Sequence, residues 1–167
     1  MCIIQNMRMS QGVEWALHTC LNLTYVESGQ AVPTAALAKF YALPPAYLNK
    51  HLQALVRAGI LSSTPGPRGG FRLARRPEAI SLLDVVTAIE GSGEAFPCDQ
   101  ILREGPGGRP DVDYRHACVI AGAMRHAELA WRRELAGRSL ADIRAEVETR
   151  YPDTPRNTRE RFAALLG

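Results

Sequence analysis

Residues 37–61 read LAKFYALPPAYLNKHLQALVRAGIL, two short helical stretches around a proline turn. Thr34 suits an N-cap, and residues 35–39 are good helix formers. The chain turns at Ala42-Leu43-Pro44-Pro45, and the pattern predicts a second helix over 45–58. A proline in the first turn costs little, because its missing N–H has no intrahelical partner there. Leu48, Leu52, Leu55 and Val56 give this helix an apolar face, while Asn49, Lys50, Gln53 and Arg57 project from the other side. Gly59 supplies a C-terminal stop. Two helices joined by a tight turn, the second with an amide-rich basic face, form the pattern of a helix-turn-helix. Lys and Arg pair with phosphates or guanine edges, Asn and Gln with adenine edges. An ordinary solvated face fits the helix equally well, so the next segment has to decide.

Residues 60–64 have strand character, Pro65-Gly66-Pro67-Arg68-Gly69-Gly70 is a turn, and Phe71-Arg72-Leu73 returns as a second strand. Arg68, Arg72, Arg75 and Arg76 cluster on or beside this hairpin. A glycine-rich basic hairpin straight after a candidate recognition helix has the form of a wing. Gly69 and Gly70 would let backbone approach DNA, and Arg68 and Arg72 would meet phosphates or a narrow minor groove. The rival is a phosphate-cradling nucleotide loop. That loop requires a helix directly after the glycines and a GK[ST] signature, and the sequence has neither.

Working outward, Val13, Ala16, Leu17, Cys20 and Leu21 recur at helical spacing over residues 10–25, with Ser10 as N-cap. Cys20 lies in that stripe and reads as a small core residue. Leu82, Val85, Val86 and Ile89 mark a helix stopped by Gly91. Residues 92–115 then form a Gly-, Pro- and Asp-rich loop, of a length that in compact domains is often functional. From Cys118 a long helix is expected to reach Ala136, with Ile120, Met124, Ala127 and Trp131 on one stripe, a reasonable dimerisation element. Ser139 caps a further helix through Leu140, Ile143 and Val147, and the charged end is helical at best. The expected fold is mainly α with a small β-hairpin wing, a winged helix-turn-helix plus a long dimerisation helix. Its parts are an extension (1–6), the DNA-binding domain (7–91), a cysteine-bearing sensor loop (92–117), the dimerisation helix and its follower (118–150), and a C-terminal tail (151–167).

The composition agrees with this plan. The chain has 167 residues, 46% of them hydrophobic, which excludes a disordered or low-complexity protein. No apolar run approaches the roughly 18–20 residues of a membrane span, and no signal-peptide pattern opens the sequence, so a cytoplasmic protein with no membrane partner is expected. Residues 1–80 carry eight basic and three acidic side chains, net +5, whereas the remainder carries twelve basic and fourteen acidic, net −2. The basic front points to a polyanionic partner. The four cysteines, Cys2, Cys20, Cys98 and Cys118, include no CxxC pair. Cys98 and Cys118 flank the polar loop rather than lying in apolar stripes, which suits thiolate ligands or a thiol switch. No nucleophile–base motif supports an enzyme.

The segments MRMSQGVEWALH (7–18), LAKFYALPPAYLNKHLQALVRAGIL (37–61), TPGPRGGFRLARRP (64–77) and ISLLDVVTAIEG (80–91) together resemble the Rrf-two family of bacterial winged-helix regulators, over residues 7–136. Such proteins usually begin at the methionine matching Met7. GVEWALH, AFPC (95–98), ACVIAGAM (117–124) and AELAW (127–131) are similar to a redox-sensing branch with two loop cysteines in place of three. The resemblance implies a homodimer on a pseudo-palindromic double-stranded DNA operator. It also implies a 2Fe–2S cluster held by two cysteines of one subunit and a glutamate and a histidine of the other. The matching residues are Cys98, Cys118 and Glu14, but the histidine position holds Tyr41. A phenolate is a harder, anionic ligand that would lower the cluster potential. Three outcomes stay open: a cluster with Tyr41 or solvent as fourth ligand, one recruiting another group such as His18, or no cluster. His18 lies one turn after Glu14 and forms more simply a Glu–His pair; His116 lies near Cys118 within reach of a metal; His51 and His126 read as helix-surface residues. On the recognition helix Tyr47 joins Asn49, Lys50, Gln53 and Arg57 as a candidate DNA contact. Trp15 is a candidate redox relay, with burial at a dimer interface its simpler role. The sequence thus predicts a DNA-binding regulator sensing redox or iron–sulfur status. Its alternatives are a metal-free thiol switch of the same fold and a winged-helix protein adaptor.

Overall fold

The computed structural model describes residues 9–27 and 29–167, so the expected 1–6 extension, Met7 and Cys2 lie outside the described residues. Helix α1 (Gln11–Leu23) buries Val13, Ala16 and Cys20 of the stripe read from the sequence, leaves Leu17 and Leu21 half-buried, and buries Leu23 besides. Helix α2 (Thr34–Tyr41) starts at its predicted cap, one residue early: Pro33 takes the cap position and Thr34 is already helical. It ends on Ala42, whose φ of 54° lies in the left-handed region usually given to glycine. Helix α3 (Pro45–Arg57) follows with Pro45 in its first turn. It buries Leu48, Leu52 and Leu55 against α1, α2 and α4 (Leu82–Glu90). Each such side chain contributes roughly 1.5–3 kcal/mol of hydrophobic stabilisation.

Strands β1 (Leu61–Thr64) and β2 (Gly70–Leu73) pair antiparallel, with Leu61 opposite Leu73 and Thr64 opposite Gly70. Val32 extends the ladder, since it exchanges two backbone hydrogen bonds of 2.9 Å with Phe71. This stitch explains the glycines. A Cβ on Gly70 (φ 142°) would come within 2.3 Å of the Val32 carbonyl carbon, and one on Gly69 within 2.1 Å of the Thr64 oxygen. Both positions therefore have a packing requirement of their own, whatever they do toward DNA.

Helix α4 opens with a Ser81/Asp84 capping box. Residues 92–117 contain one 3-10 turn (Ile101–Arg103) and a single helical turn, α5 (Tyr114–Ala117). Helix α6 (Val119–Ala136) buries only Ala121 among its 18 residues. Helix α7 (Leu140–Arg150) repeats the capping box with Ser139 and Asp142. It is stitched to the start of α4: Leu82 N–H donates to Arg138 O and Leu140 N–H to Ile80 O, both at 2.9 Å. Arg144 donates to Thr24 O and lies over the Tyr25 ring, tying α7 to the end of α1. The charged end, read as helical at best, is a 13-residue helix, α8 (Thr154–Leu166), packed on α2 with Phe162 buried. No described helix is long and apolar enough to cross a membrane.

Candidate functional site

Helix α3 turns Tyr47, Lys50 and Arg57 toward solvent and leaves Asn49 and Gln53 half-buried at the edge of the same face. Among the described residues Lys50, Arg57 and Arg68 have no ion-pair partner, so their charges are available to a polyanion. Arg72 donates to Ser62 Oγ at 3.3 Å and Gly29 O at 3.4 Å, and it stays exposed on β2. The other two wing arginines are occupied within the protein. Arg75 bonds the carbonyls of Gly59 and Ala79 at 3.1 Å and approaches Asp84 at 3.7 Å, and Arg76 pairs with Glu78.

His51 corrects the surface reading. Its ring is buried under α1, where a Cβ on Gly12 would lie 2.4 Å from its Cε1, and Tyr47 meets it edge-on at 5.0 Å. Its Nε2 is buried with no partner among the described residues. Burial first, and the Lys50 charge second, lower its pKa below the ordinary 6.5. His51 thus keys the recognition helix to the first turn of α1. Nothing in the local apolar periodicity signalled this, because histidine is counted polar. His126 is exposed, as read.

The loop brings the two cysteines together. The Tyr114 carbonyl accepts the Cys118 backbone N–H at 3.0 Å, and the Cys98 thiol lies 3.9 Å from the same oxygen. Cys118 is also the N-cap residue of α6. Both thiols are half-exposed and free. The loop is tied down on both sides: Tyr114 N–H donates to Gln100 Oε1, Arg109 N–H to the Tyr114 hydroxyl, and Ala95 N–H to Glu128. Glu128 is itself held by Arg132, which also reaches the Ser92 and Gly93 carbonyls. Beside Cys118, Asp113 accepts from Arg115 and contacts His116 Nδ1 at 3.2 Å. Chiefly the Arg115 hydrogen bond holds the Asp113 pKa down at about 2. Cys20 is fully buried and its thiol is pushed up to about 12, in keeping with its core reading.

Glu14 and His18 are both exposed on α1. Tyr41 is engaged elsewhere. Its hydroxyl accepts from Asn22 Nδ2 at 2.8 Å, and its ring packs edge-on against Trp15 at 5.4 Å and Phe40 at 5.0 Å. Desolvation pushes the phenol pKa up to about 12. Trp15 Nε1 is buried without a partner among the described residues. Among the described residues no three His, Cys, Asp or Glu side chains converge as a metal site within the one chain.

A helix-turn-helix with a two-stranded wing and a long following helix defines a winged-helix DNA-binding regulator. The family model for Rrf2, described as an iron-dependent transcriptional regulator, matches residues 9–146, and the chain belongs to this family. It is 34% identical over 145 residues to the HTH-type transcriptional regulator YffB of Lactococcus lactis, covering 87% of this chain and 92% of the relative. It is 29% identical over 145 residues to YwgB of Bacillus subtilis, covering 87% and 89%. Among solved structures it is similar to T. potens IscR, with TM-score 0.64, 20% identity and coverage of 87% and 92%. It is also similar to CymR, the global cysteine regulator of B. subtilis, with TM-score 0.62, 18% identity and coverage of 84% and 98%. The chain is a transcriptional regulator that binds DNA, and not an enzyme.

Proposed function

We propose that the chain works in the cytoplasm as a homodimer on a pseudo-palindromic operator and reports redox or iron–sulfur status through Cys98 and Cys118. Tyr47, Asn49, Lys50, Gln53 and Arg57 enter the major groove, while Arg68 and Arg72, with the backbone at Gly69 and Gly70, meet the flanking phosphates or minor groove. Helix α6 supports the dimer: Ile120 is 66% exposed and Trp131 39% on one stripe, with Val119 85% exposed beside it, apolar surface that the lone protomer leaves uncovered. The observation that carries the sensing reading is the convergence of the Cys98 thiol and the Cys118 amide on one carbonyl.

The donor set decides how a 2Fe–2S cluster would be held. Two half-exposed free thiols, one within 3.9 Å of the carbonyl that accepts the other residue's backbone N–H, suit iron, and Glu14, exposed on α1, suits a ligand given to the other subunit. Tyr41 does not suit it. With its phenol pushed up to about 12 and its hydroxyl bonded to Asn22, it serves as packing between α1 and α2. Cys98, Cys118 and Glu14 of the partner subunit would therefore hold the group, with the fourth place left to solvent or another side chain. The cluster, when bound, supplies one-electron chemistry. Trp15 would relay the change toward α2, a role that its edge-on contact with Tyr41 supports.

The same thiol pair favours a second reading, a metal-free switch in which the two thiols lose two electrons and two protons to a peroxide and form a disulfide. Staphylococcus aureus CymR, a fold neighbour, has been solved in an oxidized form. Anaerobic purification separates the readings. The cluster predicts coloured protein with equal iron and sulfide, bleached by dithionite and lost in Cys98→Ala. Colourless protein that loses two free thiols on peroxide treatment would instead establish the switch.

A further inference from the structure

We infer that α8 is an external cap on the helix-turn-helix, in which Arg161 and Phe162 are positioning residues for DNA binding. The inference rests on the family's DNA-binding function but not on the sensing proposal. Helix α8 lies wholly beyond residue 146, where the family match ends.

Helix α2 has eight residues, too few to be stable as a helix without tertiary support. The last carbonyls of any helix lack intrahelical partners. At the end of α2, Leu43 N–H takes the Ala38 carbonyl at 2.9 Å and Ala42 N–H takes that of Lys39 at 3.3 Å. The Phe40 carbonyl is met from outside the helix: Arg161 Nη2 donates to it at 2.9 Å. A guanidinium at this end also complements the helix dipole. The same guanidinium stands 4.6 Å from the centroid of the Phe40 ring. Phe162 stacks on that ring with centroids 4.6 Å apart and planes 24° apart, and is itself 2% exposed. Helix α8 therefore holds both the side chain and the carbonyl of one residue.

That residue sits at the hinge of the motif. Phe40 precedes Tyr41 and the left-handed Ala42, and the turn continues through Pro44 into the recognition helix. Ala42 adopts a conformation that L-residues avoid, so the turn persists only where neighbouring contacts hold it. The angle between α2 and α3 decides whether α3 can seat its base contacts while α2 crosses the DNA backbone. Arg161 acts on this angle through Phe40 and makes no DNA contact of its own.

The test uses full-length protein and two labelled duplexes. One is selected by the wild-type protein from a randomised pool, and the other is a scrambled duplex of equal length. Arg161→Ala and Phe162→Ala are expected to weaken binding to the selected duplex about tenfold while changing the scrambled duplex less than about twofold. The slope of log K against log salt should stay as in wild type, Phe162→Leu should recover most of the affinity, and Arg159→Ala should behave as wild type. Amide exchange should accelerate over residues 36–43 and remain unchanged in α6. A salt slope shallower by about one per subunit would make Arg161 a phosphate contact and overturn the cap. Equal losses on both duplexes together with faster exchange in α6 would reduce α8 to general stabilisation. Unchanged exchange over 36–43 in Arg161→Ala overturns the proposal even if the wild type enriches no sequence, an outcome that would itself count against sequence-specific binding.

Discussion

At the scale of single residues the His51–Gly12 contact has the clearest consequences. The histidine is buried, its Nε2 has no partner among the described residues, and burial holds its pKa below 6.5. The unfolded chain therefore takes up the proton first as pH falls. The neutral ring is fully compatible with the fold above about pH 6.5, and stability declines on acidification from there down to the lowered folded pKa. Urea unfolding at pH 7.5 and 5.5 should show a larger loss for wild type than for His51→Phe; equal losses would mean that the ring is not held neutral in the fold. The partner side of the contact is steric. Gly12→Ala places a methyl 2.4 Å from the ring and should cost about 1–3 kcal/mol, with part of the loss recovered in a His51→Ala background. Sequence periodicity could not reveal this pair, since it depends on two helices meeting at a glycine.

Among the elements, those with a strong local code were legible. Pro45 in the first turn and Leu48, Leu52 and Leu55 at helical spacing located α3 to within a residue. The glycine turn located the hairpin, and Ser139 marked a helix start that the structure shows as a capping box. What escaped reading depends on contacts distant in sequence. Helix α8 has a single large aromatic, Phe162, in a charged stretch, and its partner Phe40 lies far earlier in the chain. The cysteine loop looked unstructured because its order comes from side-chain bonds such as Glu128 and Gln100 to backbone, not from repeating pattern. Tyr41 was identified from the sequence as the odd ligand, but its bond to Asn22 could not be. Helix α6 is legible in its stripe, and the exposure of Ile120 on that stripe and of Val119 beside it makes the face testable. Val119→Asp with Ile120→Asp changes residues that are 85% and 66% exposed, so the fold should lose less than about 0.5 kcal/mol per site. If a second copy covers this face, sedimentation should show a monomer that binds a palindromic duplex at least about tenfold more weakly. A stable dimer carrying both aspartates would place the interface elsewhere.

For the molecule as a whole, the charge division between the halves becomes a division of work. The net +5 of residues 1–80 includes Lys50, Arg57, Arg68 and Arg72, all on the helix-turn-helix and wing. In the other half many arginines are occupied internally: Arg109 with Asp111, Arg115 with Asp113, Arg132 with Glu128, Arg144 with Glu148. Those pairs lie on or beside the cysteine loop, α6 and α7, and they add no net positive field. DNA affinity should therefore take its salt dependence from the first half alone. A dimer making about six to eight phosphate contacts should lose about 10³-fold or more in affinity between 50 and 200 mM salt. Arg68→Ala removes one contact per subunit, so the slope should become shallower by about two in the dimer and by about one in the Val119→Asp/Ile120→Asp monomer. Arg109→Ala should leave it unchanged, because that side chain is already paired with Asp111 at 2.7 Å. Fluorescence anisotropy across a salt series measures all three. An Arg109 effect as large as that of Arg68 would show that the loop itself lies on the DNA, so that the cysteines and the base contacts share one surface.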